Sequence, residues 1–208
     1  MERVSKEKTF LLAAIIVVVS LAVYCNSLFN GFVYDDKEQI VNNHWIRDMR
    51  YLPEIFSQSV WGFSMDAEEQ GTANYYRPFM YVVYMINYYL FGLKAWGFHL
   101  ANILFHTGTS VLVLLLADRL TSEQAGKPVN LQAEEPASTL TSASSSPSPL
   151  TLSLFPPFIA ALLFATHPIH AEAVTWVASL PEVGFTFFYL LSFFFFPRIL
   201  DIIHRKGN

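Results

Sequence analysis

Residues 9–29, TFLLAAIIVVVSLAVYCNSLF, run for about 20 positions with no charged side chain. At about 1.5 Å of rise per residue, a helix of that length matches the roughly 30 Å hydrocarbon core of a bilayer. The run predicts a spanning helix, which limits the rest of the chain to folds that begin in a membrane. Arg3, Lys6 and Lys8 precede it, so the N-terminus is expected on the cytoplasmic side. The run is longer than the apolar core of a secretory signal and no A-x-A site follows it, which predicts an uncleaved anchor. The single cysteine, Cys25, lies inside the run; it cannot form an intrachain disulfide and is read as a small buried apolar residue.

Three further apolar stretches occupy 97–117, 150–166 and 183–203, and each is long enough to cross, the middle one barely. With 53% hydrophobic and only 14% charged residues, the chain is too apolar for an ordinary soluble domain. A net charge of -4 without a basic cluster excludes nucleic acid as partner, since phosphate binding needs concentrated Lys and Arg. The expected fold is all-α, a polytopic membrane protein of about four transmembrane helices forming a single membrane domain over 1–208. Residues 121–149, rich in Ser, Pro, Thr and Ala, are expected to be a flexible cytoplasmic linker inside that domain.

The stretch 77–93, RPFMYVVYMINYYLFGL, decides which loops share a side. It is short and rich in tyrosine, a residue that favours the headgroup zone, so it predicts a juxtamembrane helix that does not cross. Both termini and the linker are then cytoplasmic and hold, with Arg198, about eight of the 13 Lys and Arg. The loop 30–96 is exterior, as is the segment HPIHAEAVTWVASLPE between the last two spans. There His167 is predicted to cap a turn begun by Pro168, followed by a short helix over 170–180.

On this topology Asp35, Asp36, Arg77, His167, His170, Glu172 and Glu182 all lie at the exterior surface. Such a gathering suits a reaction between a lipid-carried substrate and an acceptor arriving from water. A carboxylate can take a proton from an attacking hydroxyl, and a second beside it can tune its pKa. The plainer alternative is that Asp35 and Asp36 cap a helix made by KEQIVNNHW. On side-chain chemistry alone Arg77 reads equally as an interface anchor. On a continuous helix Glu172 lies about 140° from His167, so His167, His170 and Glu172 converge on a metal only if the helix breaks. No metal or other cofactor is expected. His99 and His106 share one face of a spanning helix, where packing or local hydrogen bonding is the expected role.

NSLFNGFVYDD, YYRPF, LFGLKAWGFHLANILFH and ATHPIHAEAVTWVAS follow one another here in an order and approximate spacing that resemble the membrane half of the transmembrane and tetratricopeptide-repeat proteins and their bacterial relatives. That family is similar to GT-C-fold glycosyltransferases, which move a sugar from a polyprenyl or dolichyl phosphate onto an acceptor. The resemblance covers about residues 20–196 apart from the linker. It implies an acidic motif at Asp35 and Asp36, with Asp35 as base and Asp36 supporting it, and places Arg77 near the lipid phosphate, which a guanidinium fork suits. His167 and His170 fall on the family's HPIH stretch, with Glu172 beside them.

Two departures accompany the resemblance. Relatives read GRAD or GRAE where this chain has SLPE at 179–182, which retains the acid as Glu182 and puts Leu180 in place of the Arg. The four crossings also fall short of a complete GT-C enzyme, so a C-terminal partner segment with further spans and tetratricopeptide repeats is expected. The resemblance implies inverting glycosyl transfer from a lipid-linked sugar to a protein or glycan acceptor, with Asp35, Asp36 and Glu182 in catalysis. The alternative is a non-catalytic membrane anchor or assembly module. No N-x-[ST] sequon occurs in the long exterior loop, which points to a bacterial inner membrane over the endoplasmic reticulum.

Overall fold

The computed structural model describes residues 2–64, 75–125 and 149–206. Among them there is no strand, and the chain is an all-α polytopic membrane protein. Helix α1 (Glu2–Tyr24) tightens into a 3-10 turn at Cys25–Phe29. The loop that follows folds into short turns and the helix α2 (Leu52–Ser57). Helix α3 (Pro78–Phe91) precedes the long α4 (Ala95–Ala125). The described chain resumes at α5 (Pro149–Thr166), passes through α6 (Ala171–Thr175) and ends in α7 (Leu180–Lys206).

Helix α4 is the centre of the bundle and packs against α1, α5 and α7. Between spanning helices the apolar medium outside offers little to drive association, so contact relies on small side chains and interhelical hydrogen bonds. Both are present. Ala161 and Ala165 of α5 are fully buried with Ile16 of α1 and Leu114 of α4. Ser20 Oγ and Thr107 Oγ1 join α1 to α4 at 3.0 Å, and His106 Nε2 lies 3.2 Å from the Ala165 carbonyl oxygen. The other His of that face, His99, is also buried. Phe185, Phe193 and Phe196 of α7 point outward, as lipid-facing side chains do.

A second, larger core caps one end of the bundle. Tyr81 and Tyr84 of α3, Phe98 of α4, Ile40 and Ile46 of the loop after α1, and Val177 and Leu180 pack together there. Helix α3, at 14 residues, reaches about 21 Å and falls outside the candidate spans, as expected for a juxtamembrane helix. Its hydroxyls fasten the surrounding irregular backbone: Tyr84 donates to the Val177 carbonyl at 3.0 Å and Tyr81 to that of Val60. Burial raises both phenol pKa values, keeping these donors protonated.

Three helices are individually long and apolar enough to cross, and Phe155–Thr166 with Pro168–Thr175, bent by 43°, makes a fourth candidate, in keeping with the expected count of about four. Three other expectations are corrected. The helix expected over 170–180 stops at Thr175, because Trp176 takes an extended backbone (φ -89°, ψ 122°) before a 3-10 turn at Val177–Ser179. Helix α4 continues through 121–125, and the remaining 126–148 of the expected linker lie outside the described residues. Cys25 is exposed rather than buried, its thiol donating to the Ala22 carbonyl.

Candidate active site

The expected cap helix KEQIVNNHW is a single π turn, Lys37–Val41, with a separate 3-10 turn at Trp45–Arg47. Asp36 stands at the N-cap position but makes no side-chain cap bond to that turn. Its carboxylate is fully buried and accepts from the Val33 N–H at 3.1 Å and from the Ala178 N–H at 2.9 Å. Ala178 lies in the first turn after the break at Trp176, where backbone donors have no partner within their own helix. Asp36 is thus a cap for a segment 142 residues away. Burial pushes its pKa up, while the two N–H donors pull against that rise. The Trp176 indole N–H is beside the same carboxylate without closing a bond of normal geometry.

Asp35 is half-buried and faces open space. With Arg77, Glu182, Gln39, Trp61 and Trp176 it lines a cavity of about 350 Å³, within the size range of small-ligand sites. Arg77 precedes Pro78 at the start of α3 and Glu182 is in the first turn of α7. The guanidinium Nη2 lies 3.7 Å from the Glu182 carboxylate and the group sits over the Tyr75 ring at 5.2 Å. Gly184 allows this approach of α3 to α7: a Cβ there would meet Phe79 Cε1 at 2.5 Å. Gln39 is 5% exposed, and its amide oxygen has no hydrogen-bond partner. Orphaned buried polar atoms are rare enough to need a reason, and a polar ligand is one.

The remaining sequence candidates separate from this group. His167 caps its turn as expected, its Nδ1 accepting from the Ile169 N–H at 3.2 Å. His170 packs against Phe164 and His106, at ring distances of 4.5 and 5.4 Å, beside a small cavity that Glu182 also borders. Glu172 lines a different cavity, of about 480 Å³, with Asp35 and Trp176. The helix does break, yet no three His, Cys, Asp or Glu side chains among the described residues gather as metal ligands.

Gln39, Trp61 and Trp176 escaped the sequence reading. Nothing local marks the break at Trp176, since 171–180 contain neither Gly nor Pro, and a buried Gln in a short turn has no periodic signature.

No protein-family model and no solved structure matches the chain. Among curated proteins it is 33% identical to human Protein O-mannosyl-transferase TMTC3 over 184 residues, which is 88% of this chain and 16% of that protein. It is 31% identical to human Protein O-mannosyl-transferase TMTC4 over 199 residues, 92% of this chain and 24% of that protein. The Drosophila melanogaster Protein O-mannosyl-transferase Tmtc3 is 31% identical over 196 residues, 93% of this chain and 20% of that protein. The chain therefore spans about a fifth of the length of the relatives it matches. Over that span it is a relative of the TMTC family of protein O-mannosyl-transferases.

Proposed function

We propose that the chain supplies the catalytic end of a glycosyltransferase that moves a sugar from a polyprenyl-type lipid phosphate to a protein hydroxyl at the exterior face of a membrane. One observation carries this reading: Asp35 and Arg77 line the same cavity, a proton acceptor and a cation around a space for a small polar ligand. Asp35 takes the proton of the acceptor hydroxyl as its oxygen attacks the anomeric carbon. The bond from that carbon to the lipid phosphate breaks, and the phosphate leaves with the electron pair beside Arg77. The orphaned Gln39 amide supports a hydroxylated ligand in the cavity. Glu182 holds Arg77 in place and Asp36 holds the backbone that carries Asp35. His167, His170 and Glu172 take no part in proton transfer on this reading.

Asp35→Asn preserves shape and removes the proton acceptor. Transfer of a labelled sugar from a polyprenyl phosphate should fall by about a hundredfold or more, assayed with whatever segment completes the protein. Undiminished transfer would remove Asp35 from the chemistry. Orientation is checked separately: single cysteines at Ser64 and Ala171 should react with an impermeant thiol reagent added from the periplasmic or lumenal side, and protection of both would invert the topology.

A non-catalytic module is the second reading, and Leu180 favours it. Where the resemblance places an Arg, this side chain is fully buried in the cap core. Arg77 beside Glu182 supplies a cation in the same cavity, which is why the transferase reading is preferred.

A further inference from the structure

Glu182 borders two cavities, and the transferase reading uses only the one it shares with Asp35 and Arg77. The other, of about 110 Å³, has His106, Thr109, His170 and Thr186 in its lining and offers room for a few water molecules. Several of its polar groups are already committed. Thr109 donates to the Phe105 carbonyl at 2.8 Å, Thr186 donates to that of Glu182 at 2.7 Å, and His106 Nε2 faces the Ala165 carbonyl at 3.2 Å. Two groups are less tightly fastened. The Glu182 side chain is 52% exposed, and at 3.7 Å its carboxylate pairs with Arg77 by charge but is too far away for a hydrogen bond. His170 is half-buried. Among the described residues its ring makes contacts with other rings and no hydrogen bond: Phe164 at 4.5 Å, His106 at 5.4 Å and His167 at 6.2 Å.

The charges around this pair leave one partner for a protonated His170. An imidazolium in a half-buried space is costly unless an anion meets it. From α4 the ring meets His106, from α5 the uncharged Phe164, and from its own turn His167, none of which supplies negative charge. Glu172 follows two positions later on α6, where side chains do not face each other, and it lines the separate cavity beside Tyr34. Glu182, from α7, is the carboxylate in the lining of the small cavity. Around Glu182 stand Arg77 and the buried Tyr84 of α3, Asp35 from the loop after α1, and the two histidines. Arg77 and His170 therefore reach for one carboxylate from two cavities, and while His170 is neutral only Arg77 attracts it.

We propose that His170 is a positioning residue for the lipid phosphate, acting through Glu182 on Arg77. Neutral His170 leaves Glu182 beside Arg77, which keeps the guanidinium fork turned towards the cavity of Asp35. Charged His170 draws the carboxylate into the small cavity, and Arg77 loses the support that orients it. Binding of the lipid donor then weakens as pH falls through the ordinary histidine range, near about 6.5. The proposal rests on the transferase reading and adds proton control of donor loading to the same site. His170 passes no proton to the substrates, so Asp35 remains the base. Linkage is reciprocal, so a bound donor must in turn make His170 harder to charge.

The test is donor binding against pH, which needs no turnover. The chain in nanodiscs is titrated with a short prenyl phosphomannose. That probe is a phosphodiester with one fixed negative charge, unlike a phosphate monoester, which itself titrates near about 6. The parent should bind it about tenfold more weakly at about pH 5.5 than at about pH 8. His170→Gln cannot charge, so it should keep the parent's affinity at the higher pH and lose most of the slope. A merely structural role would lower affinity at both pH values and leave the slope. Glu182→Gln should bind weakly at both, while His167→Gln and His106→Gln should keep the slope. Isotope-labelled histidine NMR reads the reciprocal effect: the His170 resonance should titrate at lower pH with the probe bound, and this shift should vanish in Glu182→Gln. A slope that survives His170→Gln, one that disappears with His167→Gln or His106→Gln instead, one of opposite sign, or a His170 titration indifferent to the probe overturns the proposal. If the slope survives His170→Gln while Arg77→Lys abolishes binding, the transferase reading stands without the positioning role. A chain that shows the slope as described but transfers nothing keeps the role and loses that reading, and no saturable binding by the parent removes both.

Discussion

The two cores of this protein are built by different rules. In the bundle, around Ile16, Leu114, Ala161 and Ala165, the backbone satisfies itself within helices and the side chains need only be small or apolar. In the cap, the chain repeatedly leaves the helix, and side chains must answer for the backbone groups it leaves unpaired. Asp36 accepts from Val33 and Ala178, Tyr84 donates to Val177, and Asn102 donates to the Trp176 carbonyl at 2.7 Å. The cavities that border Asp35 open around the Trp176 turn of this cap. Irregular backbone is what lets residues far apart in sequence, such as Asp35, Arg77 and Glu182, face one space. Its cost is a set of buried polar contacts that must all be kept.

That contrast predicts unequal sensitivity to small changes. Gly184→Ala drives a methyl group into Phe79, whose ring is held by Phe105 and Phe188 at 5.7 and 5.3 Å. The overpacking should cost about 1–3 kcal/mol and loosen the Arg77–Glu182 pair, visible as a lower apparent unfolding midpoint and weaker use of the lipid donor. A neutral Gly184→Ala would show the cap to be as forgiving as the bundle. Ser20→Ala removes the hydroxyl contact to Thr107 in the bundle and should cost only about 0.6 kcal/mol. A loss as large as that of Gly184→Ala would erase the distinction between the two regions.

The same division marks what could be read from the sequence. Apolar length gave the spanning helices, since hydrophobic thickness is a one-dimensional constraint. Shortness and tyrosine content marked 77–93 as a helix apart from the spans, and α3 falls outside the candidate spans; Pro168 after His167 located a cap that formed as expected. The sequence also singled out Asp35, Arg77 and Glu182 as candidates. It could not show that Asp36 turns away from its own helix, because the donor it satisfies lies 142 residues on. Nor could it show the break at Trp176, where tertiary bonds from Asn102 and Asp36 hold an extended residue that local propensity would leave helical. The short apolar stretch at 150–166 was legible as a candidate span, but not the 43° bend that joins it to Pro168–Thr175.

The central claim is that adjacent carboxylates divide their work, Asp35 for chemistry and Asp36 for architecture. Thermal unfolding of Asp35→Asn and Asp36→Asn, followed side by side in detergent, tests it most directly. In Asp36→Asn an amide NH2 must face one of two backbone donors. Leaving that donor unpaired should cost about 1–3 kcal/mol. Asp35→Asn should unfold within about 0.5 kcal/mol of the parent, as half-exposed positions outside such networks do. Acidity gives a second signature. Burial raises the Asp36 pKa above its ordinary 3.8, so the folded chain holds this proton more tightly than the unfolded chain. Its contribution is therefore full below about 3.8 and is lost as pH rises through the folded pKa. Asp36→Asn should abolish that slope and Asp35→Asn should retain it. Equal destabilisation by the two substitutions, or a slope that follows Asp35, would contradict the division.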